Sequence, residues 1–229
     1  MNKIDEIYTE FPYYGSPKIT EAINRQGITV NHKAIERLMR EMGIMAIFPK
    51  KNTSKANPLN IKYPYMLKGL TILRPNHVWS ADITYVRAHG IWFYLVAILD
   101  WYSRYVLSWK LSPRMTVDFC IDALTDALAI SKPDIHNSDQ GSQFTSEDYT
   151  SVLLGKEIKI SMDGRGRCFD NIFVERLWRS VKYEEVYLHD YQNYGEAKES
   201  LTKYFDTYNN RRLHQSLDYR TPAEVYFQK

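Results

Sequence analysis

Three carboxylate residues, Asp82, Asp139 and Glu175, are the best candidates for chemistry in this chain. In the sequence 56 residues separate the first two and 35 separate the last two, and the three lie in the motifs WSADITY, HNSDQGSQF and DNIFVERLW. Three carboxylates gathered at one point repel one another, so without a cation at least one would take up a proton. The group therefore predicts a divalent metal site. Oxygen ligands without a nearby His or Cys pair favour Mg²⁺ or Mn²⁺ over zinc.

Each acid also has a simple structural interpretation. Asp82 would lie on the solvent face of a strand, Asp139 would cap the turn before Gly141, and Glu175 would form an ion pair with Arg179. Taken one at a time, these interpretations fit an arbitrary carboxylate better than a role in catalysis does.

The elements that must position the acids begin with strand-like patterns. Residues 78–86 and 105–111 alternate between apolar and polar, and residues 91–99 form the continuous apolar run of a buried strand. Turns are predicted at residues 87–90 and 100–104. Three consecutive antiparallel strands follow from this pattern.

Helices and strands alternate after residue 112. A helix capped by Thr116, a strand at residues 135–138, a helix from Ser146 to Gly155, a strand at residues 158–162 and a long helix from Asn171 are predicted. The chain from residue 194 is helical, and Thr-Pro-Ala-Glu at residues 221–224 has the form of a capping box. A mixed five-stranded α/β sheet is expected.

These elements place Asp82 within the first strand, Asp139 just past the fourth, and Glu175 one turn into the long helix. Arg179 and Lys182 share a stripe with Glu175, where the cations would bind phosphate while the acid holds the ion. His136 is a candidate to orient an acid or the DNA, and a satisfied structural histidine fits its position as well.

The first residues predict a small all-helical unit. Residues 17–26 have helical apolar spacing, and Asn31 caps a second helix on which Lys33, Arg37 and Arg40 lie opposite the apolar face. This helix-turn-helix pattern would place the cations against DNA in a major groove. Surface charges on a small helical bundle would give the same pattern.

A Pro-rich stretch at residues 49–72 is predicted to be a linker, which divides the chain into a helix-turn-helix domain at residues 1–48 and a catalytic core with a helical extension at residues 73–229. No carboxylate lies between Glu41 and Asp82. The basic residues of this stretch either follow a phosphate backbone or belong to a solvated linker. They include Lys50, Lys51 and Lys55.

Two further basic groups are ambiguous from the sequence. Arg165 and Arg167, in the loop at residues 163–170, either grip DNA close to the predicted metal site or belong to a mobile surface loop. Arg211, Arg212 and His214 either contact phosphate or cap the last helices.

Composition sets the broad class. The chain has 229 residues, 44% of them hydrophobic, and a net charge of +3, which is typical of a globular protein and by itself does not predict a polyanionic partner. Cys120 and Cys168 have no metal-ligand spacing, which indicates a reducing compartment. The apolar run at residues 91–99 is too short to span a bilayer and no signal peptide is apparent, so a cytoplasmic protein is expected.

Motifs along nearly the whole chain resemble the second-reading-frame product of bacterial insertion elements of the insertion-sequence-three family. Besides the three acid motifs, they are FPYYG from Phe11, NHKAIERLMREMGI from Asn31, PNHVWSADITY from Pro75 and YNNRRLHQSL near the end. The 35-residue gap before Glu175 is also the family's spacing.

The resemblance implies an RNase H-like fold similar to the retroviral integrase core, in which Asp82, Asp139 and Glu175 bind two Mg²⁺ or Mn²⁺ ions. The implied activity is a DDE transposase that cleaves element ends and joins them to target DNA, without a covalent protein–DNA intermediate. The implied partners are double-stranded DNA, further copies of the chain on DNA, and a first-reading-frame product or fusion. The expected location is the bacterial nucleoid.

Two departures from the family pattern concern DNA contacts. Ser16 and Pro17 precede a single Lys18 where a basic pair is usual, and Asp163 introduces an acid into the loop before Glu175. The paired His and Cys residues of the retroviral zinc-binding head are absent. The alternative function is a DNA-binding regulator or partner subunit that is inactive without the first-frame product, and a nonspecific nuclease of the same fold is a third hypothesis.

Overall fold

The computed structural model describes residues 1–47, 61–164 and 171–228. The chain divides into two compact units, with a boundary after residue 55.

The N-terminal unit is built from three helices, α1 (Asn2–Glu10), α2 (Ser16–Arg25) and α3 (His32–Glu41). Asn31 caps α3 as predicted, because its side chain accepts a hydrogen bond from the Lys33 N–H at 2.9 Å. Apolar residues from all three helices form one core; they are Ile4, Ile7, Ile19, Ile23, Ile35 and Met39.

The C-terminal unit contains a five-stranded mixed sheet in the order β3-β2-β1-β4-β5. The strands are β1 (Val78–Ala88), β2 (Ile91–Asp100), β3 (Val106–Ser112), β4 (Ile135–Ser138) and β5 (Lys159–Met162). β1, β2 and β3 pair antiparallel, whereas β4 runs parallel to β1 and to β5. The predicted mixed sheet is confirmed.

Helices cover both faces of this sheet. They are α4 (Asp118–Ile130), α5 (Glu147–Leu154), α6 (Ile172–Glu184), α7 (Tyr194–Asn210) and α8 (Pro222–Tyr226), with short 3-10 helices at Val186–Leu188 and Gln215–Leu217. One core packs α6 and α7 against the sheet, and another packs α4 and α5 against the opposite face. Among the described residues, no helix combines the length and apolar character needed to cross a bilayer.

The continuous apolar run in β2 is explained by these two cores. Alternate residues of a strand point to opposite faces, so Leu95 and Ala97 enter the core beneath α6 and α7 while Val96 and Ile98 enter the core beneath α4 and α5. Because helices cover both faces of β2, this strand has no polar face.

Local sequence patterns located most element ends. The predicted capping box is present, with Thr221 and Glu224 bonding to each other's backbone N–H. The turn after β1 lies two residues later than predicted, at His89 and Gly90, whose φ angles of 42° and 80° give the tight hairpin that a twisted sheet favours. Thr116 does not cap α4, because Val117 occupies the N-cap position and no side-chain cap bond forms.

Part of the predicted linker is packed structure. Leu67 is buried with Val78, Trp101 and Ile135, and the Met66 N–H donates to Ser161 Oγ at 3.0 Å. The prediction gave more weight to the Pro and Gly residues of this stretch than to the apolar residues between them. Residues 61–72 therefore belong with the sheet.

Asn209 closes the outer edge of β3. Its buried amide accepts from the Val106 N–H and donates to the Val106 carbonyl oxygen, both at 2.9 Å. We expect Asn209→Ala to lower the free energy of unfolding by about 2 kcal/mol, because both backbone groups lose their partner in a buried position. Urea unfolding of the purified chain measures this change.

Asn210 offers a matched control. It is exposed, and its side chain donates only to Asp206 one turn earlier. Asn210→Ala should change stability by no more than about 0.5 kcal/mol. Equal losses for the two variants would contradict the role assigned to Asn209.

Candidate active site

Two of the three acids lie near the point where the parallel pairing between β1 and β4 ends. Within β1, the residues that pair with β4 are Val78–Ser80, so Asp82 lies in the interior of β1 just beyond that pairing. Asp139 directly follows β4. The carboxyl end of a parallel strand such as β4 is a common place for functional groups, because the chain leaves the sheet there.

Trp178 connects Asp82 to α6. Its indole Nε1–H donates to Asp82 Oδ2 at 2.8 Å, and the ring itself is buried in the core beneath α6. No local sequence pattern reveals this bond, because Trp178 and Asp82 are far apart in the chain. One residue thus anchors the helix that carries Glu175 to the strand that carries Asp82.

The pKa of Asp82 reports the proximity of the other two acids. This pKa is raised to about 6, chiefly by burial. The hydrogen bond from Trp178 lowers it, and the negative charges of Asp139 and Glu175 contribute to the rise. The three acids therefore lie close enough for their charges to interact.

Asp139 is held by the turn that follows it. Its Oδ1 accepts from the Gly141 N–H at 2.8 Å, which is the turn cap that the sequence allowed. A Cβ at residue 141 would lie 2.8 Å from the same oxygen, so glycine is required for this contact. Asp139 is exposed, yet neighbouring protein atoms desolvate its carboxyl enough to raise its pKa.

Glu175 lies in the first turn of α6 and is exposed. Among the described residues it forms no ion pair with Arg179, so the intrahelical pairing that the sequence allowed is not observed. Arg179 is exposed and Lys182 half-buried along the same stripe.

The donor chemistry of the three acids fits a hard divalent cation, since all three offer carboxylate oxygens. The rise that Asp139 and Glu175 cause in the pKa of Asp82 is what an added cation would reverse. Within residues 1–47, 61–164 and 171–228, however, no three His, Cys, Asp or Glu side chains are close enough together to hold an ion.

His136 contacts α5 rather than the acids. It is fully buried, and its Nε2 bonds to the Tyr149 hydroxyl at 2.8 Å. Burial lowers its pKa to about 3, so the ring is neutral. These contacts fit a structural role for this histidine, but its buried Nδ1 has no hydrogen-bond partner among the described residues.

The acid at Asp163 is engaged in the fold. Its Oδ1 accepts from Asn137 Nδ2 at 2.8 Å, and its carbonyl oxygen accepts from Gln140 Nε2 at 2.9 Å. Asp163 therefore ties β5 to β4 and to the loop that carries Asp139.

The structure describes some of the predicted DNA-contacting residues but not others. Lys33, Arg37 and Arg40 are exposed on α3, where the two arginines form exposed ion pairs with Glu41 and Glu36 that contribute little to stability. Arg179 and Lys182 lie on α6, as described above. Five further predicted residues lie outside the described residues; they are Lys50, Lys51, Lys55, Arg165 and Arg167.

A cavity of about 960 Å³ lies at the far end of α6 from Glu175. Lys182 and Arg87 contribute positive charge to its lining, and Tyr85, Trp92 and Tyr187 contribute exposed aromatic rings. None of the three acids lines it.

Protein-family models match the two units separately. Residues 73–168 and residues 156–222 match two models described as integrase core domain, and residues 1–52 match a model described as HTH-like domain.

Curated relatives match along most of the chain. InsK of insertion sequence element IS150 from Escherichia coli (strain K12) is 33% identical over 228 residues, which cover 97% of this chain and 81% of that protein. The transposase for insertion sequence element IS904 of Lactococcus lactis subsp. lactis (strain IL1403) is 31% identical, covering 92% of this chain and 86% of that protein. Transposase InsF for insertion sequence IS3A of Escherichia coli (strain K12) is 31% identical, covering 88% and 72%.

Solved integrase structures share the fold. The HTLV-2 integrase catalytic core domain in complex with magnesium gives a TM-score of 0.56 at 25% identity, covering 67% of this chain and 98% of that chain. The simian T-cell lymphotropic virus intasome in complex with PP2A regulatory subunit B56 gamma gives a TM-score of 0.61 at 19% identity, covering 97% and 74%. The predicted integrase-like fold is confirmed.

The raised pKa of Asp82 predicts that ionisation of this acid lowers the stability of the fold. In the folded protein Asp82 stays protonated up to about pH 6, whereas the ordinary pKa of an aspartate is 3.8. The free energy of unfolding therefore falls as the pH rises between these two values. In EDTA, Asp82→Asn should therefore raise the free energy of unfolding above pH 6 by about 1–3 kcal/mol, and the gain should vanish below about pH 4. Urea unfolding across this pH range measures this gain.

Asp126 is an exposed acid that pairs with Lys110, so Asp126→Asn is the control and should show no such gain. An Asp82→Asn variant no more stable than the wild type above pH 6 would contradict the charge conflict.

Proposed function

This chain belongs to the IS3 family of insertion-element transposases, and we propose that it cleaves element ends and joins them to target DNA, with Asp82, Asp139 and Glu175 as the catalytic acids. In the first step water would attack a phosphodiester bond at the element end and release a 3′-hydroxyl. In the second step that hydroxyl would attack a target phosphodiester, so one bond forms as another breaks. Each step is a polynucleotidyl transfer that needs no covalent bond to the protein.

The observation that carries this proposal is the convergence of the acids on Asp82. Trp178 orients one oxygen of Asp82, Gly141 orients one oxygen of Asp139, and both Asp139 and Glu175 raise the pKa of Asp82. Three acids from three separate elements therefore share one electrostatic site. A structural role for each acid alone does not account for that convergence.

The three acids are proposed to hold two Mg²⁺ or Mn²⁺ ions. Ions held there would activate the attacking oxygen and would stabilise the leaving 3′-oxygen. The hydrogen bond from Trp178 favours the ionised form of Asp82, which is the form that binds a cation.

We propose that DNA follows α6 away from Glu175. Arg179 and Lys182 lie along this stripe and would bind successive phosphates, and Lys182 also lines the cavity of about 960 Å³. The aromatic rings of that cavity would stack on unpaired bases. Lys33, Arg37 and Arg40 would provide a separate contact through the helix-turn-helix unit.

The alternative of a regulator that only binds DNA is not favoured. The similarity to named transposases continues through both integrase core matches, whereas a regulator would need only the N-terminal helices. A first-reading-frame partner, further copies of the chain on DNA and a location at the nucleoid remain part of the proposal. Reading the DNA upstream of Met1 for an overlapping frame would test the partner.

The direct test uses a duplex that carries the element end. With Mg²⁺ or Mn²⁺ the purified chain should release a 3′-end and join it to target DNA, and Asp139→Asn should lower both activities by at least about a thousandfold, since the acids act as a unit. Asp148→Asn, an exposed acid in the first turn of α5, is the matched control and should retain activity. Full activity of Asp139→Asn would sink the catalytic assignment. Binding without nicking or joining would favour the regulatory alternative, and nicking without joining would favour a nuclease.

Trp178→Phe tests the support of Asp82. It removes the donor while keeping an aromatic ring in the core, so we expect Mn²⁺ affinity to fall about tenfold. Calorimetric titration with Mn²⁺ measures the change.

Trp101→Phe is the control for this variant, because the buried Trp101 Nε1 has no hydrogen-bond partner among the described residues. Both variants should lose packing stability, but only Trp178→Phe should lose metal affinity. Equal Mn²⁺ affinities would show that Trp178 acts through packing alone.

A further inference from the structure

A second cavity, of about 180 Å³, lies against a different stripe of α6 from the acids. Three arginines line it, Arg104 from the turn after β2, Arg176 from α6 and Arg212 from the segment after α7. The hydroxyls of Ser180 and Ser216 also line this space. Polar donors thus surround it from three parts of the chain.

Arg212 already has its counter-charge. Its Nε and Nη2 donate to Glu184 at 2.8 and 2.6 Å, and its Nη1 contacts His214 Nε2 at 3.1 Å. Burial and the charge of Arg212 lower the pKa of His214 to about 4, so the neutral ring can accept this bond. Arg212 and His214 are therefore part of the wall of this cavity.

Arg104 and Arg176 lack such compensation. Arg104 stacks its guanidinium 3.5 Å from the centre of the Phe173 ring, but its buried Nη1 has no hydrogen-bond partner among the described residues. Asp100 attracts Arg104, yet its oxygens already accept from the Ser103 N–H and hydroxyl and from the Asn76 N–H. A buried guanidinium hydrogen without an acceptor is costly.

Arg176 increases this electrostatic imbalance. It is exposed and forms no ion pair with any described residue. Burial lowers the pKa of Arg104 to about 10, Tyr208 and Asp100 raise it, and the positive charge of Arg176 lowers it again. Arg104 thus stays charged at neutral pH next to a second cation.

We propose that this cavity binds a phosphate group, held between Arg104 and Arg176 with Ser216 as a hydroxyl donor. An oxyanion would accept the unpaired hydrogen of Arg104 and offset the repulsion between the two guanidinium groups. The site does not use the three acids, so it stands independently of their role in catalysis. The phosphate group comes either from the backbone of bound DNA or from free phosphate.

Thermal unfolding with inorganic phosphate as the probe tests the site, at constant ionic strength set with chloride. The wild type should gain stability with phosphate, and Arg176→Gln should bind phosphate about tenfold more weakly, since it loses one charge-assisted hydrogen bond. Arg176 is exposed, so this variant should fold. Lys198→Gln, which removes an exposed charge on α7 outside the cavity, should respond like the wild type.

Repeating the titration with saturating element-end duplex distinguishes the two sources. A phosphate response that disappears in the complex assigns the site to a backbone phosphate, and a response that persists assigns it to free phosphate. The proposal is overturned if phosphate stabilises the wild type no more than chloride does, or if Arg176→Gln and Lys198→Gln respond equally.

Discussion

The hydrogen bond between Trp178 and Asp82 is the contact on which the candidate active site depends. It joins α6 to the central strand at the point where β4 stops pairing with β1, so the helix that carries Glu175 cannot shift without disturbing Asp82. The bond also opposes the desolvation of Asp82, which burial would otherwise keep protonated. One indole N–H therefore holds this acid in position and favours its ionised form.

Helix α6 has three stripes with different tasks. The buried stripe packs the helix on the sheet and contains Val174, Leu177 and Val181. Glu175 and Arg179 lie on the stripe of the acid site, while Arg176 lies on the stripe of the arginine-lined cavity. Because 3.6 residues make one turn, neighbouring positions in the sequence serve separate sites. A rotation of the helix would disrupt all three at once.

Periodicity predicted the elements well because apolar burial is a local pattern repeated over many residues. The run in β2 and the capping box at Thr221 are examples in which neighbouring residues contain the whole cause. The motifs and their resemblance to a family, rather than periodicity, brought the acids together. The Trp178 bond joins residues 96 positions apart, and the unpaired hydrogen of Arg104 depends on which acceptors other residues have already taken. Neither fact has a local pattern, so neither could be predicted from the sequence.

The two sites on α6 each contain like charges that repel one another, negative at one site and positive at the other. On one side Asp139 and Glu175 raise the cost of ionising Asp82, and on the other Arg176 raises the cost of charge on Arg104. Repulsion at each site weakens the unliganded fold. A bound ligand of opposite charge would raise the stability in proportion to its binding free energy. A cation for the acids and a phosphate for the arginines are the two charge types that metal-dependent chemistry on DNA brings together. If both ligands bind as proposed, the helix would be most stable with both present, and its docking on the sheet would then depend on substrate.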